Sequence, residues 1–212
     1  MTIGRTDSMK HHLRKVVQSV LLILFVFLII TGRVQLWMAL FLVGIAASFI
    51  FGRFYCGWIC SINTVMEWVS AFKKKHGIKN RNIPEFVKKP FVRWALIAVF
   101  IGVFIITVKT GKKLPVLPFL FITGIGLTFF FHEELWHRFL CPYGSLLSLS
   151  SGMAKKGMSI DEEKCINCGA CARVCPALSI EKTDTHHIIS KKDCLTCMKC
   201  EVVCKPNAIS YK

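Results

Sequence analysis

Residues 165–175 read CINCGACARVC and residues 194–204 read CLTCMKCEVVC. Eight of the chain's eleven cysteines lie in these two runs, each with gaps of two, two and three residues. The short gaps let a tight loop wrap three thiolates around one centre. The longer gap starts a helix that carries the fourth thiolate away. A disulfide framework belongs to small secreted domains, and zinc ribbons use two C-x2-C knuckles rather than a triple run closed by x3-Cys. The pattern therefore points to iron–sulfur ligation and one-electron chemistry.

The double run resembles the bacterial two-cluster ferredoxin signature, in which the fourth cysteine of each run reaches the other cluster. The resemblance implies one 4Fe-4S cluster held by Cys165, Cys168, Cys171 and Cys204, and a second held by Cys194, Cys197, Cys200 and Cys175. Pro176 follows Cys175 as that pattern asks, whereas Cys204 is followed by Lys205 and only then by Pro206. This departure removes no ligand. Met158-Ser159-Ile160 and Ile188-Ile189-Ser190 precede the runs, and Leu178-Ser179-Ile180 and Ala208-Ile209-Ser210 follow them. These are expected to be short strands bracketing each loop and helix.

Upstream the composition changes. Hydrophobic residues make up 53% of the chain, phenylalanine contributes 17 and the mean hydropathy is +0.51. A bilayer core asks for about 20 largely apolar residues per spanning helix. Residues 16–32, 34–52, 94–108 and 114–131 come close, with Arg93 and Lys109 able to snorkel at the ends of the third. Pro115 and Pro118 fall in the first turns of the fourth, where proline is tolerated. The expected architecture is a membrane all-α part with four transmembrane helices, followed by a small α+β two-cluster ferredoxin-like domain. The expected divisions are a cytoplasmic polar tail at 1–15, the membrane domain at 16–154 and the ferredoxin domain at 155–212, with Lys155, Lys156 and Gly157 marking the last boundary. Residue 30 is followed by Thr31, Gly32 and Arg33 rather than a small-x-small cleavage site, so the first apolar run is expected to be retained.

The formal net charge of +16 raises nucleic acid as a partner, but no motif supports it and the placement of the charge argues otherwise. Arg5, Lys10, Arg14 and Lys15 precede the first apolar run, and nine lysines and arginines from Arg53 to Arg93 lie between the second and third. Only Arg33, Lys109, Lys112 and Lys113 fall on the other side. The positive-inside rule then puts both termini, the central loop and the ferredoxin domain in the cytoplasm of a prokaryote, with the chain multi-pass in its inner membrane. The basic excess is expected to be mostly a topology signal and a grip on anionic headgroups.

The membrane part looks duplicated. Phe54-Tyr55-Cys56-Gly57-Trp58-Ile59-Cys60-Ser61 aligns with Leu135-Trp136-His137-Arg138-Phe139-Leu140-Cys141-Pro142 at an offset of 81 residues. Cys60 meets Cys141 and Cys56 meets His137, giving two tandem two-helix repeats. After the first motif, Ile62, Val65, Met66, Val69 and Phe72 form an apolar helix face suited to the headgroup plane. The arrangement resembles the membrane-bound polyferredoxins of the NapH type, with the membrane cores of NosR and CcoG as relatives. The shared features are Cys-Gly-Trp-x-Cys after an even number of spans, a second Cys-x3-Cys-Pro and a double ferredoxin run. Ser61 stands where that family has proline, and His137 where it has a cysteine.

Cys56 and Cys60, like His137 and Cys141, are four apart and able to share a helix face. Were all four to converge, three thiolates and an imidazole would suit iron or an iron–sulfur centre. The alternatives are a dithiol–disulfide couple at Cys56 and Cys60, or ordinary buried cysteines with His137 at the headgroups. None of the seven histidines lies inside an apolar run, so no haem is expected. His132, Glu133 and Glu134 close the fourth run and are candidates for handling quinone protons or for plain anchoring. The expected function is a membrane-anchored electron-transfer subunit, not a stand-alone enzyme, relaying electrons between its clusters and the quinone pool or partner subunits of a redox complex. The alternative is an accessory reductase of a metal or thiol used in maturing another enzyme, as resemblance to CcoG would allow.

Overall fold

A computed structural model describes residues 5–110 and 115–212. Lys112, Lys113 and Leu114 lie outside the described residues. The chain forms two compact units, Met1–Ser61 with Leu147–Lys212, and Ile62–Leu146.

In the first unit α1 spans Arg5–Ile30 and α2 spans Gln35–Phe51. The helix begins well before residue 15, so the polar leader is its first turns. Gly32, at φ 67°, ends α1: its N–H bonds to the carbonyl of Ile29 at 3.1 Å, and that of Arg33 to Leu28 at 2.9 Å. This paired closure is the left-handed C-terminal stop that glycine allows. Phe25 meets Trp37 edge-on at 5.0 Å and Phe41 meets Tyr55 at 5.4 Å. Gly44 makes room for Tyr55, since a Cβ there would come within 2.7 Å of the ring.

The cysteine-rich module follows from α6 (Pro142–Ser151), within which the chain passes from one unit to the other. It contains β1 (Met158–Ile160), α7 (Ala170–Arg173), β2 (Ile180–Lys182), β3 (His187–Ile189), α8 (Lys199–Val203) and β4 (Ile209–Tyr211). β1 pairs antiparallel with β4, and β2 with β3. Each ribbon thus joins the strand before one cysteine run to the strand after the other. Three of the strands are shifted by one or two residues from the expected positions. Met158, Cys171, Ile180, Ile189, Cys200 and Ile209 form the buried core beneath them. Residues 155 and 156 are tied down, their N–H groups bonding to the carbonyls of Phe49 and Ile50 at 3.4 and 2.9 Å.

In the second unit α3 (Ser61–Lys75, its first residue belonging to the first unit) is followed by a 3-10 turn (Glu85–Lys88), α4 (Pro90–Thr110) and α5 (Val116–Phe130). Of the apolar stripe on α3, Ile62 and Met66 are buried and Phe72 is 52% exposed. Asn63, Glu67 and Lys73 are buried as well. Lys73 is held because its ammonium closes the end of α5, donating to the carbonyls of Thr128 at 2.7 Å and Phe131 at 3.3 Å and to Asn80 Oδ1 at 2.5 Å. A cation suits those C-terminal carbonyls. Burial holds its pKa below the usual lysine range, against the opposing pull of Glu133.

Among the described residues, two helices are long and apolar enough to cross a membrane, Met9–Ile30 and Pro90–Thr107. Gln35–Phe51 and Val116–Phe130 are apolar but shorter, at 17 and 15 residues. Some of the large side chains on these four helices face outward: Ile23, Val43, Val99 and Ile122 are all at least 63% exposed. An exposed apolar surface of that kind suits lipid rather than water. The chain is mostly helical, with two candidate membrane helices and a small ferredoxin-like region.

Candidate metal centres in the cysteine-rich module

The eight cysteines separate into two cavities. One is lined by Cys165, Cys168, Cys171 and Cys204, and the other by Cys175, Cys194, Cys197 and Cys200. Each encloses about 320 Å³, part of it open to solvent. The fourth cysteine of each run thus lines the cavity of the other run. The ribbon pairing explains this: the strand after each run closes against the strand before the other, so the chain crosses between cavities after its third cysteine.

All eight are free thiols. Among the described residues, no three His, Cys, Asp or Glu side chains stand close enough together for a single metal ion. Four thiols around one cavity, too far apart to share a single ion, suit a multi-atom cluster better than one zinc ion. Burial raises the Cys171 thiol pKa, with Cys165 and Cys204 adding to it and two backbone hydrogen bonds opposing. Burial, reinforced by Cys197 and Cys175, pushes Cys194 up to about 12, while Arg53 pulls it down. Cys200 is raised for the same first reason, with Cys197, Cys194, Cys175 and Cys171 adding to it. Crowded thiols of this kind resist ionising together unless a cation shares them.

Backbone geometry repeats between the runs. Asn167 and Thr196 hold φ of 52° and 53°, and Gly169 and Met198 hold 69° and 58°, each pair at matching places. Asparagine and glycine accept the left-handed region readily, whereas threonine and methionine are strained in it. The strained loop is the one that is gripped. The Trp58 indole N–H donates to the Thr196 carbonyl at 3.1 Å, and Arg14 donates to the Cys197 carbonyl. Gly57 lies so close that a Cβ would stand 2.2 Å from the Leu195 carbonyl oxygen. Gln18 Nε2 in turn donates to the Gly57 carbonyl at 3.0 Å.

The residues 56–60 motif that makes this grip is a π-turn, Tyr55–Ile59, closed by Cys60 N–H on the Tyr55 carbonyl at 2.9 Å. Leu135–Leu140 forms the same turn, closed by Cys141 N–H on the Trp136 carbonyl at 2.8 Å. Cys60 and Cys141 are therefore the extended residues that end each turn, with ψ of 113° and 112°, rather than members of an α-helix face. π-turns recur at functional positions.

A family model described as a 4Fe-4S binding domain matches residues 33–79 and 114–160, and another of the same description matches 158–181. The Haemophilus influenzae ferredoxin-type protein NapH is 24% identical over 82% of this chain and 68% of its own length. These matches support a NapH-like polyferredoxin with a C-terminal ferredoxin domain. An uncharacterized protein of Methanocaldococcus jannaschii is 29% identical over 80% of this chain and 68% of itself. The putative electron transport protein YccM of Escherichia coli is 22% identical over 76% of this chain and 52% of its own length. No solved structure matches. The likenesses support iron–sulfur clusters and an electron-transfer role.

Cys56 and Cys60 belong to the first unit, and His137 and Cys141 to the second. Cys56 is buried, with Arg53 Nη2 3.9 Å from its sulfur. Cys141 is also buried, and its sulfur accepts the Gly144 N–H at 3.3 Å, capping α6. His137 is likewise buried. Glu133 is buried as well, while burial raises the Glu134 pKa against Arg138, His132 and Lys88.

Sequence reasoning counted Arg14, Arg53 and Lys73 as topology charges, and it passed over Gln18, Trp58 and Thr196. Arg14 and Arg53 are fully buried and Lys73 nearly so, each hydrogen-bonded inside the protein. Gln18, a polar residue four places from Arg14 and inside an apolar run, was the one available signal.

Proposed function

We propose that the chain is a membrane-anchored electron-transfer subunit that relays electrons between two 4Fe-4S clusters and the quinone pool or partner subunits of a redox complex. The single observation that carries this is the division of the eight cysteines into two four-thiol cavities with the fourth cysteines exchanged. Cys165, Cys168, Cys171 and Cys204 hold one cluster, and Cys175, Cys194, Cys197 and Cys200 the other. When bound, such a cluster accepts and releases one electron at a time. The protein's part is to hold four thiolates around each cluster and to grip the second loop from the π-turn.

The further expectations enter on the same terms. Four spans in two tandem repeats are supported by the family matches at residues 33 and 114, whose starts are 81 residues apart like Cys60 and Cys141. Matching π-turns also support the duplication. The placement of lysine and arginine supports cytoplasmic termini and a cytoplasmic ferredoxin domain, bounded at residues 155–212. A redox role for Cys56 is supported by its burial beside the grip on the second cavity. Iron content combined with EPR tests the core of the proposal. About eight iron atoms per chain and two interacting signals are expected; about four iron atoms and one signal would sink the two-cluster reading.

A further inference from the structure

The second cavity differs from the first in the charge buried beside it. Arg14 and Arg53 are both 0% exposed. Arg14 Nη1 donates to the carbonyl of Cys197, and Arg53 Nη1 to the carbonyl of Asp193, next to Cys194, at 3.4 Å. A guanidinium stays charged at every accessible pH. The first cavity has an arginine too, Arg173, whose Nη1 lies 3.5 Å from the Cys168 carbonyl. That side chain is exposed, so water and salt screen it.

We propose that Arg14 and Arg53 form a buried cationic clamp that raises the reduction potential of the cluster held by Cys175, Cys194, Cys197 and Cys200, setting it apart from the cluster in the first cavity. This rests on the ligand assignment proposed above. Reduction adds one negative charge to a centre already made negative by four thiolates. A nearby buried cation stabilises that form more than the oxidised one, because the interaction is several-fold stronger away from bulk water. Net charge, hydrogen bonding and solvent exposure are the levers on such potentials. The lower exposure of the second cavity acts the other way, since Cys197 is buried where its counterpart Cys168 is exposed. The two arginines offset that loss of solvation. They are positioning residues, acting through backbone and field rather than by touching a reacting atom.

EPR-monitored redox titration of the purified full chain tests the clamp, with Cys204→Ser used to assign the signal of the second cluster. Arg53→Gln and Arg14→Gln are each expected to disfavour reduction of the second cluster by about tenfold, about 59 mV for a one-electron couple. The first cluster's potential stays put. Arg53→Lys retains the charge and the potential, and Arg173→Gln moves neither signal by a comparable amount. Unchanged potentials in iron-replete Gln variants overturn the clamp, as does an equal shift in both signals. If Arg53→Gln sheds the second cluster, Arg14→Gln decides. Loss of iron in both makes the arginines structural and also overturns the proposal. A wild-type chain without two clusters would instead defeat the ligand assignment beneath it.

Discussion

The two cysteine cavities share a spacing and a backbone trace, yet they differ in what surrounds them. The first opens to solvent at Cys168, and its left-handed positions carry Asn167 and Gly169, which accept that region readily, with Asn167 Nδ2 donating to the Asp184 carbonyl at 3.4 Å. The second puts Thr196 and Met198 in those same conformations, and it is held by Trp58, Gly57, Arg14 and Arg53 from the helical hairpin. The first loop is braced from within its own module, the second from the hairpin. A duplicated ferredoxin module has therefore become asymmetric, with its second cavity packed against α1, α2 and the turn that follows them.

The sharpest way to break this comparison is to remove the exchanged cysteines. Cys175→Ser is expected to cost the second cavity its cluster, and Cys204→Ser the first, each removing about half of the iron. If Cys175→Ser instead abolished the cluster of its own run, the crossing would be wrong. EPR with iron analysis reads the difference.

Gly57→Ala should follow in size. Its new Cβ would lie 2.2 Å from a backbone oxygen that cannot swing aside. A cost of about 3 kcal/mol is expected, at the upper end for overpacking. Thermal unfolding should show the second cluster bleaching at lower temperature while the first is little changed. Equal loss of both clusters would mean that the grip does not distinguish them.

Lys10→Gln should matter least. Its ammonium lies 3.0 Å from Glu201 Oε1 on α8, but the lysine is 48% exposed. Screened pairs of that kind contribute about 0.5 kcal/mol, less in high salt. A larger, salt-independent effect on Tm would show that the outer rim of the second cavity carries more of the docking than the buried contacts do.

Much of the module was legible in the sequence. The resemblance of the double run to the two-cluster ferredoxin signature implied the cavity division, with the fourth cysteines exchanged. The alternating apolar strands were visible within a residue or two. In the membrane part, apolar runs marked the helices, since length and hydropathy alone decide whether a segment suits lipid. The i, i+4 reading of Cys56 with Cys60 missed the π-turn, because an extra residue in a turn leaves no mark on composition. Burial of Lys73 was not legible, since the carbonyls at the end of α5 that it closes are distant in sequence and make a demand only once folded.

By itself the sequence determined the class of chemistry, through eight cysteines at ligating intervals, and it marked the long apolar runs flanked by basic residues that suit lipid. Only the tertiary structure decided what the basic residues do. Charge near a span predicts topology on average. Whether Arg14 and Arg53 meet lipid headgroups or the carbonyls of Cys197 and Asp193 depends on where a loop some 140 to 180 residues away comes to rest. Hydrogen bonding over such separations is set by packing, and no local pattern encodes it.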